Sequence, residues 1–397
     1  MTLANLDRTC FAEALALAQT AIGLTEPNPR VGCIVGSDTG QVFGTGATQH
    51  AGGPHAEIMA LRDAAAHGHD LRGATAWVTL EPCAHHGRTP PCCDALIAAG
   101  LARVVVAVQD PFAKVAGAGI ARLRDAGICV DMADEPIARA AWELNIGFFS
   151  RMLRQRPWIR VKVAASLDGR TSLDNGVSQW ITSDAARVDG HHWRKRASAI
   201  LTGVGTVLAD DPRMDVRLDH STWQPLRVVV DSTLRTPPSA RLLSGPGGAL
   251  IATVKTDPAR ADLLRREGAE VLVLPDAAGR VDLTALIREL GRRGVNELHV
   301  EGGPGLTTAV LMSGLTDEVL LYMAPRLLGG QQGIVAWPPL QRLRDGLALE
   351  WLDSSPVGPD MRLRLRPVGS DFGPAAACRS VSAGFTTIAT PESENCR

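Results

Sequence analysis

Short apolar runs alternate with helix-spaced segments along almost the whole chain, and this alternation confines it to α/β layer folds. After the loop TEPNPR, the runs VGCIVG and QVFGTGA are split by the turn residues SDTG and predict a β-hairpin. PHAEIMALRDAAAHG follows at helical spacing, then ATAWVTLEP as a strand, PPCCDALIAAG as a helix and ARVVVAVQD as a buried strand. GIARLRDAG and ICVDMA predict one more helix and strand. An opening helix precedes them, with Leu3, Leu6, Cys10, Phe11, Ala14, Leu15 and Leu17 at helical period up to Gly23. Such runs imply helices covering a mostly buried sheet.

The pattern then starts again. AAWELNIGFFSRMLRQRPW predicts a helix leading out of the first unit, and RMLRQRP is polar, basic and stopped by proline. From Trp158, WIRVKVAASLDG, SAILTGVGTV, PLRVVVDS, GALIATV, AEVLVLP, NELHV, DEVLLYMAPRLLG and MRLRLRPV are strand-like. SDAARVDGHHWRKRA, PARADLLRREG and LTALIRELGRRG are helical. A length of 397 residues suits two domains. The expected division is 1–148, a linker at 149–157, a second domain at 158–368, and a disordered tail at 369–397 that is rich in Ser, Ala, Thr and Gly.

Charge narrows the function. The 41 basic and 42 acidic residues nearly cancel, which argues against a nucleic-acid coat or a polybasic membrane binder. The N-terminus carries acids and lacks a basic region before an apolar core, and no apolar run reaches about 18 residues. Eight cysteines in a chain this long predict reduced thiols, some on a metal, and a cytoplasmic setting.

Three pieces in order predict the metal: His55-Ala56-Glu57, Glu81-Pro82-Cys83 and Pro91-Cys92. In zinc deaminases a His and two Cys hold the ion while a Glu two residues after the His moves protons. Three protein ligands leave a fourth position for water, whose pKa zinc lowers toward about 7. Taken singly, the His and Glu could be capping residues and the cysteines buried thiols, but their order and types together point to deamination. Eight residues separate the cysteines here, where the general motif has two. A structural zinc knot, with His85, His86 or Cys93 as fourth ligand, is the competing arrangement.

In the second half NELHV, Glu301-Gly302-Gly303-Pro304-Gly305-Leu306 and the helical TTAVLMSG form a strand, a glycine loop and a helix. Glycines let backbone approach a ligand, and the helix N-terminus favours phosphate oxygens, which suits a dinucleotide; a tight turn would use glycines equally. Gly203-Val204-Gly205-Thr206 lacks the third glycine of the Rossmann fingerprint.

These motifs, in the strings PNPRVG (27–32), HAE (55–57), VTLEPCAHHGRTPPC (78–92), VAGAG (115–119), KVAASLDGR (162–170), SQWITS (178–183), TGVGTVLADDP (202–212) and EGGPGL (301–306), closely resemble the bifunctional riboflavin-biosynthesis deaminase/reductase family. The resemblance covers roughly 5–367 and includes the long loop between the cysteines. It implies a cytidine-deaminase-like three-layer α/β domain followed by a dihydrofolate-reductase-like α/β domain. Zinc then falls on His55, Cys83 and Cys92 and the proton shuttle on Glu57. Asn28, His85 and Arg88 would meet the pyrimidine ribotide and its phosphate.

In the second half the resemblance places NADPH against Ala164, Trp180, Thr206, Asp210, Ser232, Gly303, Pro304, Gly305 and Leu306. Its substrate would meet Ser178, Arg194, Met214, Arg217 and Glu301, with Arg194 and Arg217 as phosphate clamps. Asp210 would lie near the reacting carbon, and Lys162 would polarise or protonate the sugar. The implied chemistry is deamination of 2,5-diamino-6-(ribosylamino)-4(3H)-pyrimidinone 5′-phosphate, then hydride transfer to C1′ of the product's ribose, opening it to ribityl.

Three details depart from the family pattern. Thr48 stands seven residues before His55 where a histidine is usual, with a histidine at His50 instead; Phe112-Ala113 replace Asn-Pro before Lys114; Met214 replaces leucine. The implied partner is a small phosphorylated pyrimidine, with no nucleic acid and no membrane, and a homo-oligomer is compatible with it. Two rivals stand beside this reading. A nucleic-acid base deaminase would need stacking surface, yet Trp77 is the lone aromatic of residues 50–110. A non-catalytic zinc-stabilised dinucleotide sensor would lose nothing on Glu57→Ala, whereas a deaminase would lose turnover.

Overall fold

The computed structural model of the chain describes residues 5–86, 90–111, 116–219, 221–370 and 372–374. They fall into two compact units, one holding the described residues up to Arg154 together with 372–374, the other running from Gln155 to Ser370.

The first unit comprises α1 (Asn5–Thr20), β1 (Gly32–Gly36), β2 (Val42–Ala47), α2 (Ala56–Ala66), β3 (Thr75–Val78), α3 (Cys92–Ala98), β4 (Arg103–Val106), α4 (Ala118–Asp125), β5 (Cys129–Met132), α5 (Glu135–Leu144) and α6 (Ile146–Arg154). Its sheet has the order β2-β1-β3-β4-β5; β1 is antiparallel to β2 and β3, whereas β3, β4 and β5 are parallel. Every residue of β1 and β3 is buried, which is why they read as unbroken apolar runs. Two glycines of β2 bring α2 close: a Cβ at Gly44 would lie 2.3 Å from the Ala60 carbonyl oxygen, and one at Gly46 2.1 Å from that of Ala56. That close approach sets the height of the first turn of α2, which carries His55 and Glu57. Buried Asp7 of α1 accepts from Trp77 Nε1 at 2.7 Å and from Arg103 Nη1 at 2.8 Å, tying α1 to β3 and β4.

The second unit comprises β6 (Trp158–Ser166), α7 (Asp184–Arg196), β7 (Ala199–Gly203), α8 (Val204–Asp210), β8 (Leu226–Val230), β9 (Ala249–Thr253), α9 (Pro258–Arg266), β10 (Ala269–Val273), α10 (Leu283–Arg292), β11 (Glu297–Val300), α11 (Pro304–Met312), β12 (Glu318–Ala324), β13 (Leu349–Val357) and β14 (Asp360–Pro367). One sheet orders them β10-β9-β8-β7-β11-β6-β12-β14-β13, parallel from β10 to β12, with β14 antiparallel to both β12 and β13. One face carries Ile159, Val161, Leu201, Val228, Leu250 and Leu298 into a core with Leu286 and Leu290 of α10. The opposite face is apolar under β7 to β9, through Ile200, Val229 and Ile251. Where β6, β11 and β12 meet it instead carries charge: Arg160 bonds Glu297 at 2.9 Å and Glu318 at 3.2 Å, and its guanidinium lies 4.4 Å from the ring of Trp193 on α7.

Several elements differ from expectation. The strand predicted over SAILTGVGTV ends at Gly203, and α8 follows because Val204 and Val207 bury themselves at helical spacing. The single helix predicted before Trp158 is two, α5 and α6, broken at Asn145. There the buried amide accepts from Arg30 N–H at 2.7 Å and donates to Arg30 C=O at 2.8 Å. The linker expected at 149–157 is largely helix: α6 runs to Arg154 with Phe149 and Ser150 buried, and Arg156 already pairs with Asp317 at 2.7 Å. Strand β13 was not expected; it is an edge strand with a mostly exposed, weakly alternating pattern. Of the tail expected to be disordered, Phe372 packs against Trp142 at 5.3 Å and under Arg154 at 4.1 Å, and residues 375–397 lie outside the described ones.

Candidate active sites

His55 is the N-cap of α2, Glu57 lies in that helix's first turn, and Cys92 opens α3. The loop after β3 delivers Cys83. The ligand atoms of His55, Cys83 and Cys92 all lie within 4.8 Å of one another, with Nδ1 of His55 3.3 Å from Cys92 Sγ and 3.6 Å from Cys83 Sγ. Two sulfurs and one imidazole nitrogen at this spacing fit a tetrahedral Zn²⁺ with one position left for water. Hydrogen bonds from Cys92 and His55 pull the Cys83 thiol down toward thiolate, the form that binds metal. Glu57 is 3% exposed, and burial pushes its carboxyl up to about 7. Cys93 turns away, its thiol donating to Pro82 C=O at 3.3 Å, while His85 and His86 are exposed. Among the described residues no fourth protein ligand joins the three, so the structural-knot arrangement has no support here.

In the second unit a cleft of 1690 Å³ opens where β6, β7, β8 and β11 end. It exceeds the ~300–1,000 Å³ usual for one ligand, leaving room for two side by side. All the reductase-side positions expected from sequence line it: Ala164, Trp180, Thr206, Asp210, Ser232, Gly303, Pro304, Gly305 and Leu306, with Ser178, Arg194, Met214, Arg217 and Glu301. Gly303 caps α11, and a Cβ at Gly205 or Gly305 would meet no protein atom within 4 Å, so a side chain there would project into open space. That cradle fits a dinucleotide whose phosphates approach the backbone.

Glu301 grips Arg194 bidentately, at 2.6 Å to Nε and 2.8 Å to Nη2, while Arg194 Nη1 donates to Asp215 C=O at 2.9 Å. Burial works to raise the Glu301 carboxyl, but Arg194 outweighs it and holds the group well below the usual carboxylate range. Lys162, on β6, has its Nζ 5.8 Å from the ring of Tyr322, and burial lowers its ammonium from the ordinary value. Arg217 pairs with Asp215 and donates its backbone N–H to His191 Nδ1 at 3.2 Å.

Comparison with known proteins places this pair of sites. The profile of the cytidine and deoxycytidylate deaminase zinc-binding region matches residues 4–108, and that of the RibD C-terminal domain matches 157–363. Riboflavin biosynthesis protein RibD of Escherichia coli (strain K12) is 45% identical over 375 residues, covering 90% of this chain and 99% of that protein. The chain belongs to the RibD family. Among solved RibD structures, Acinetobacter baumannii RibD, form 1, superposes with a TM-score of 0.82 at 39% identity, over 91% of this chain and 99% of that one. A Thermotoga maritima diaminohydroxyphosphoribosylaminopyrimidine deaminase/5-amino-6-(5-phosphoribosylamino)uracil reductase gives 0.81 at 30% identity, with the same coverage. The expected pairing of a cytidine-deaminase-like domain with a reductase domain is therefore borne out, and the sensor reading is not supported.

Against that RibD background three placements stand out. Thr48 is buried just after β2, where its N–H and hydroxyl both donate to Val31 C=O, at 2.9 and 3.4 Å; it offers no ring nitrogen to a ligand. Arg194, expected as a phosphate clamp, has its fork committed to Glu301 because a buried carboxylate needs a neutralising partner. Asn28 is half-buried in a turn closed by its N–H to Thr25 C=O at 2.8 Å, His85 is exposed, and Arg88, Phe112 and Ala113 lie outside the described residues.

Sequence reasoning assigned Glu81 no role. Its carboxylate is 4% exposed and accepts four backbone N–H groups, from Asp110, Gly117, Gly119 and Ile120, at 2.9 to 3.2 Å. The signal available was a glutamate followed by proline and a metal-ligand cysteine at a strand end. His299, beneath Glu301, was missed as well because a histidine inside an apolar strand run carries no motif.

Proposed function

We infer that the first unit hydrolytically removes an amino group from a phosphorylated diaminopyrimidine and that the second reduces the ribosyl chain of the product to ribityl with NADPH. The observation that carries this reading is the buried carboxylate of Glu57 set in the same helical turn as one of three converging metal donors. Zinc, held by His55, Cys83 and Cys92, supplies the Lewis acidity that makes water nucleophilic near neutral pH. Glu57 accepts the proton of the attacking water and passes it to the ring nitrogen and then to departing ammonia. Glu57 is 3% exposed, and that burial keeps bulk water from competing for the proton.

In the second unit NADPH, cradled by the Gly303–Leu306 turn and by Thr206 and Ser232, supplies hydride. Glu301 and Arg194 orient the sugar and its phosphate from one side, and Arg217 meets the phosphate from the other as a bidentate donor. Lys162, whose proton burial loosens, delivers it to the ring oxygen released as C1′ is reduced. Met214 is buried at the cleft wall, where its flexible thioether shapes the pyrimidine's seat. The reading places the enzyme in the reducing cytoplasm. Thiols at Cys10, Cys33 and Cys93 that form no disulfide support this.

The test uses the full chain, loaded with zinc, and the diaminopyrimidinone ribotide with and without NADPH, following ammonia and NADPH together. Ammonia should appear without NADPH, and NADPH should be consumed once deaminated product has formed. Ammonia without any NADPH consumption would overturn the reductase assignment, and the absence of both would overturn the whole reading.

A further inference from the structure

Arg194 faces two claims on one edge of its guanidinium. A phosphate taken bidentately would compete for the Nε/Nη2 edge, which is closed on Glu301 at 2.6 and 2.8 Å while one N–H of Nη1 goes to Asp215 C=O at 2.9 Å. Releasing the guanidinium would strand a largely buried carboxylate unless another donor stands ready.

Such a donor lies directly behind it. His299 of β11 is two residues before Glu301, which follows the strand's last residue with its N–H still bonded to Leu201 C=O, and His299 is fully buried. Its Nε2 is 3.2 Å from Glu301 Oε1, close enough to act on that carboxylate yet short of full hydrogen-bond geometry, and its Nδ1 has no hydrogen-bond partner. The neighbouring strands offer it no alternative. Opposite His299 on β6 stands Arg160, whose guanidinium is engaged by Glu297 and Glu318; opposite it on β7 is the apolar Ile200. A buried imidazole whose hydrogen bonding is incomplete is costly, so its place beside a carboxylate whose partner can be claimed by a phosphate calls for a purpose.

We propose that His299 is a positioning residue of the reductase site: when the substrate's phosphate takes Arg194, Glu301 turns onto the Nε2–H of His299. This rests on the reading of the second unit as the reductase of a phosphorylated sugar chain. Burial keeps the imidazole in its neutral form, so one ring nitrogen always carries a hydrogen to donate. The other charged or titratable groups around Glu301 are Lys162 of β6, Tyr322 of β12 and His191 and Arg194 of α7. Lys162 and Tyr322 line the cleft itself, and Tyr322 donates its hydroxyl to Asp189 at 2.5 Å. His299 alone approaches Glu301 from beneath without facing the substrate.

The experiment measures steady-state NADPH oxidation by the full chain on the deaminated substrate with its phosphate and on the same compound dephosphorylated. For His299→Leu, KM for the phosphorylated form should rise about tenfold, while kcat and KM for the dephosphorylated form stay within about twofold. His299→Gln, whose amide N–H can take the place of Nε2–H, should keep the parent's preference for phosphate. An equal rise of KM on both substrates would mean a purely structural role and overturn the proposal, as would no change on either. Ammonia release by the first unit and a thermal melt report folding; if His299→Leu does not fold, His299→Asn, too short to reach Glu301, takes its place with the same expectation. If the parent itself oxidises no NADPH on either substrate, the reductase reading has failed instead.

Discussion

Replacing Glu81 by glutamine tests how the zinc loop is held. Oε2 accepts from Asp110 N–H at 3.1 Å and Gly117 N–H at 3.0 Å; Oε1 accepts from Gly119 N–H at 2.9 Å and Ile120 N–H at 3.2 Å. Glutamine is nearly the same size but turns an NH₂ group toward one of these pairs, so two buried donors lose their acceptor. At ~1–3 kcal/mol for each buried donor left unpaired, the loss is about 2–6 kcal/mol. That is a large part of the ~5–15 kcal/mol that keeps a domain folded. Glu81 also precedes the ligand Cys83 by two residues, and a slackened turn should weaken zinc binding by about tenfold or more. The two units need separate readouts, so ammonia release and NADPH oxidation are each followed against urea, with zinc affinity measured by competition with a chelating dye. Ammonia release in Glu81→Gln should fail at markedly lower urea while NADPH oxidation on deaminated substrate fails where the parent's does. Unchanged urea dependence together with unchanged zinc affinity would refute the clamp.

Three further outcomes are expected. Glu57→Gln should retain zinc, measured by metal analysis, but lose ammonia release by about 10²–10⁴-fold, with NADPH oxidation on deaminated substrate intact. A chelator that strips the metal should stop ammonia release and leave NADPH oxidation on deaminated substrate running, and added zinc should restore the first activity. Burial works to raise the Glu318 carboxyl, but Arg160 and Arg364 outweigh it and hold the group far below the ordinary value of 4.5. A depressed folded value means this contribution is full above pH 4.5 and is lost as the pH falls below it. The melting temperature of the second unit should therefore drop steeply on acidification below that point, and Glu318→Gln, though less stable throughout, should show a shallower drop.

The legibility of the two sites differs for a physical reason. Zinc ligation demands particular atoms at short range, so His55, Glu57, Cys83 and Cys92 announce themselves by type and order, and the helix starts at Ala56 and Cys92 follow from local spacing. The cleft lining was legible only through motif resemblance, because Ala164, Thr206 and Ser232 are residue types common everywhere in a chain and only the fold brings them to one cleft. Strand β13 and the break at Asn145 were not legible at all: an edge strand is specified by its partner β14, and Asn145 matters only because Arg30 arrives beside it from far along the chain.

Periodicity and residue type by themselves determined that the chain is a two-part α/β protein with a zinc-type donor set and a glycine turn opening a helix. Those properties depend on neighbours within a few residues. Tertiary structure alone decided which charges neutralise one another: that Arg194 bonds Glu301, 107 residues away, that in the first unit Glu81 gathers four N–H groups, and that in the second His299 is buried beside Glu301. Such pairings are energies of burial, and burial is a property of the whole fold, absent from any window of sequence.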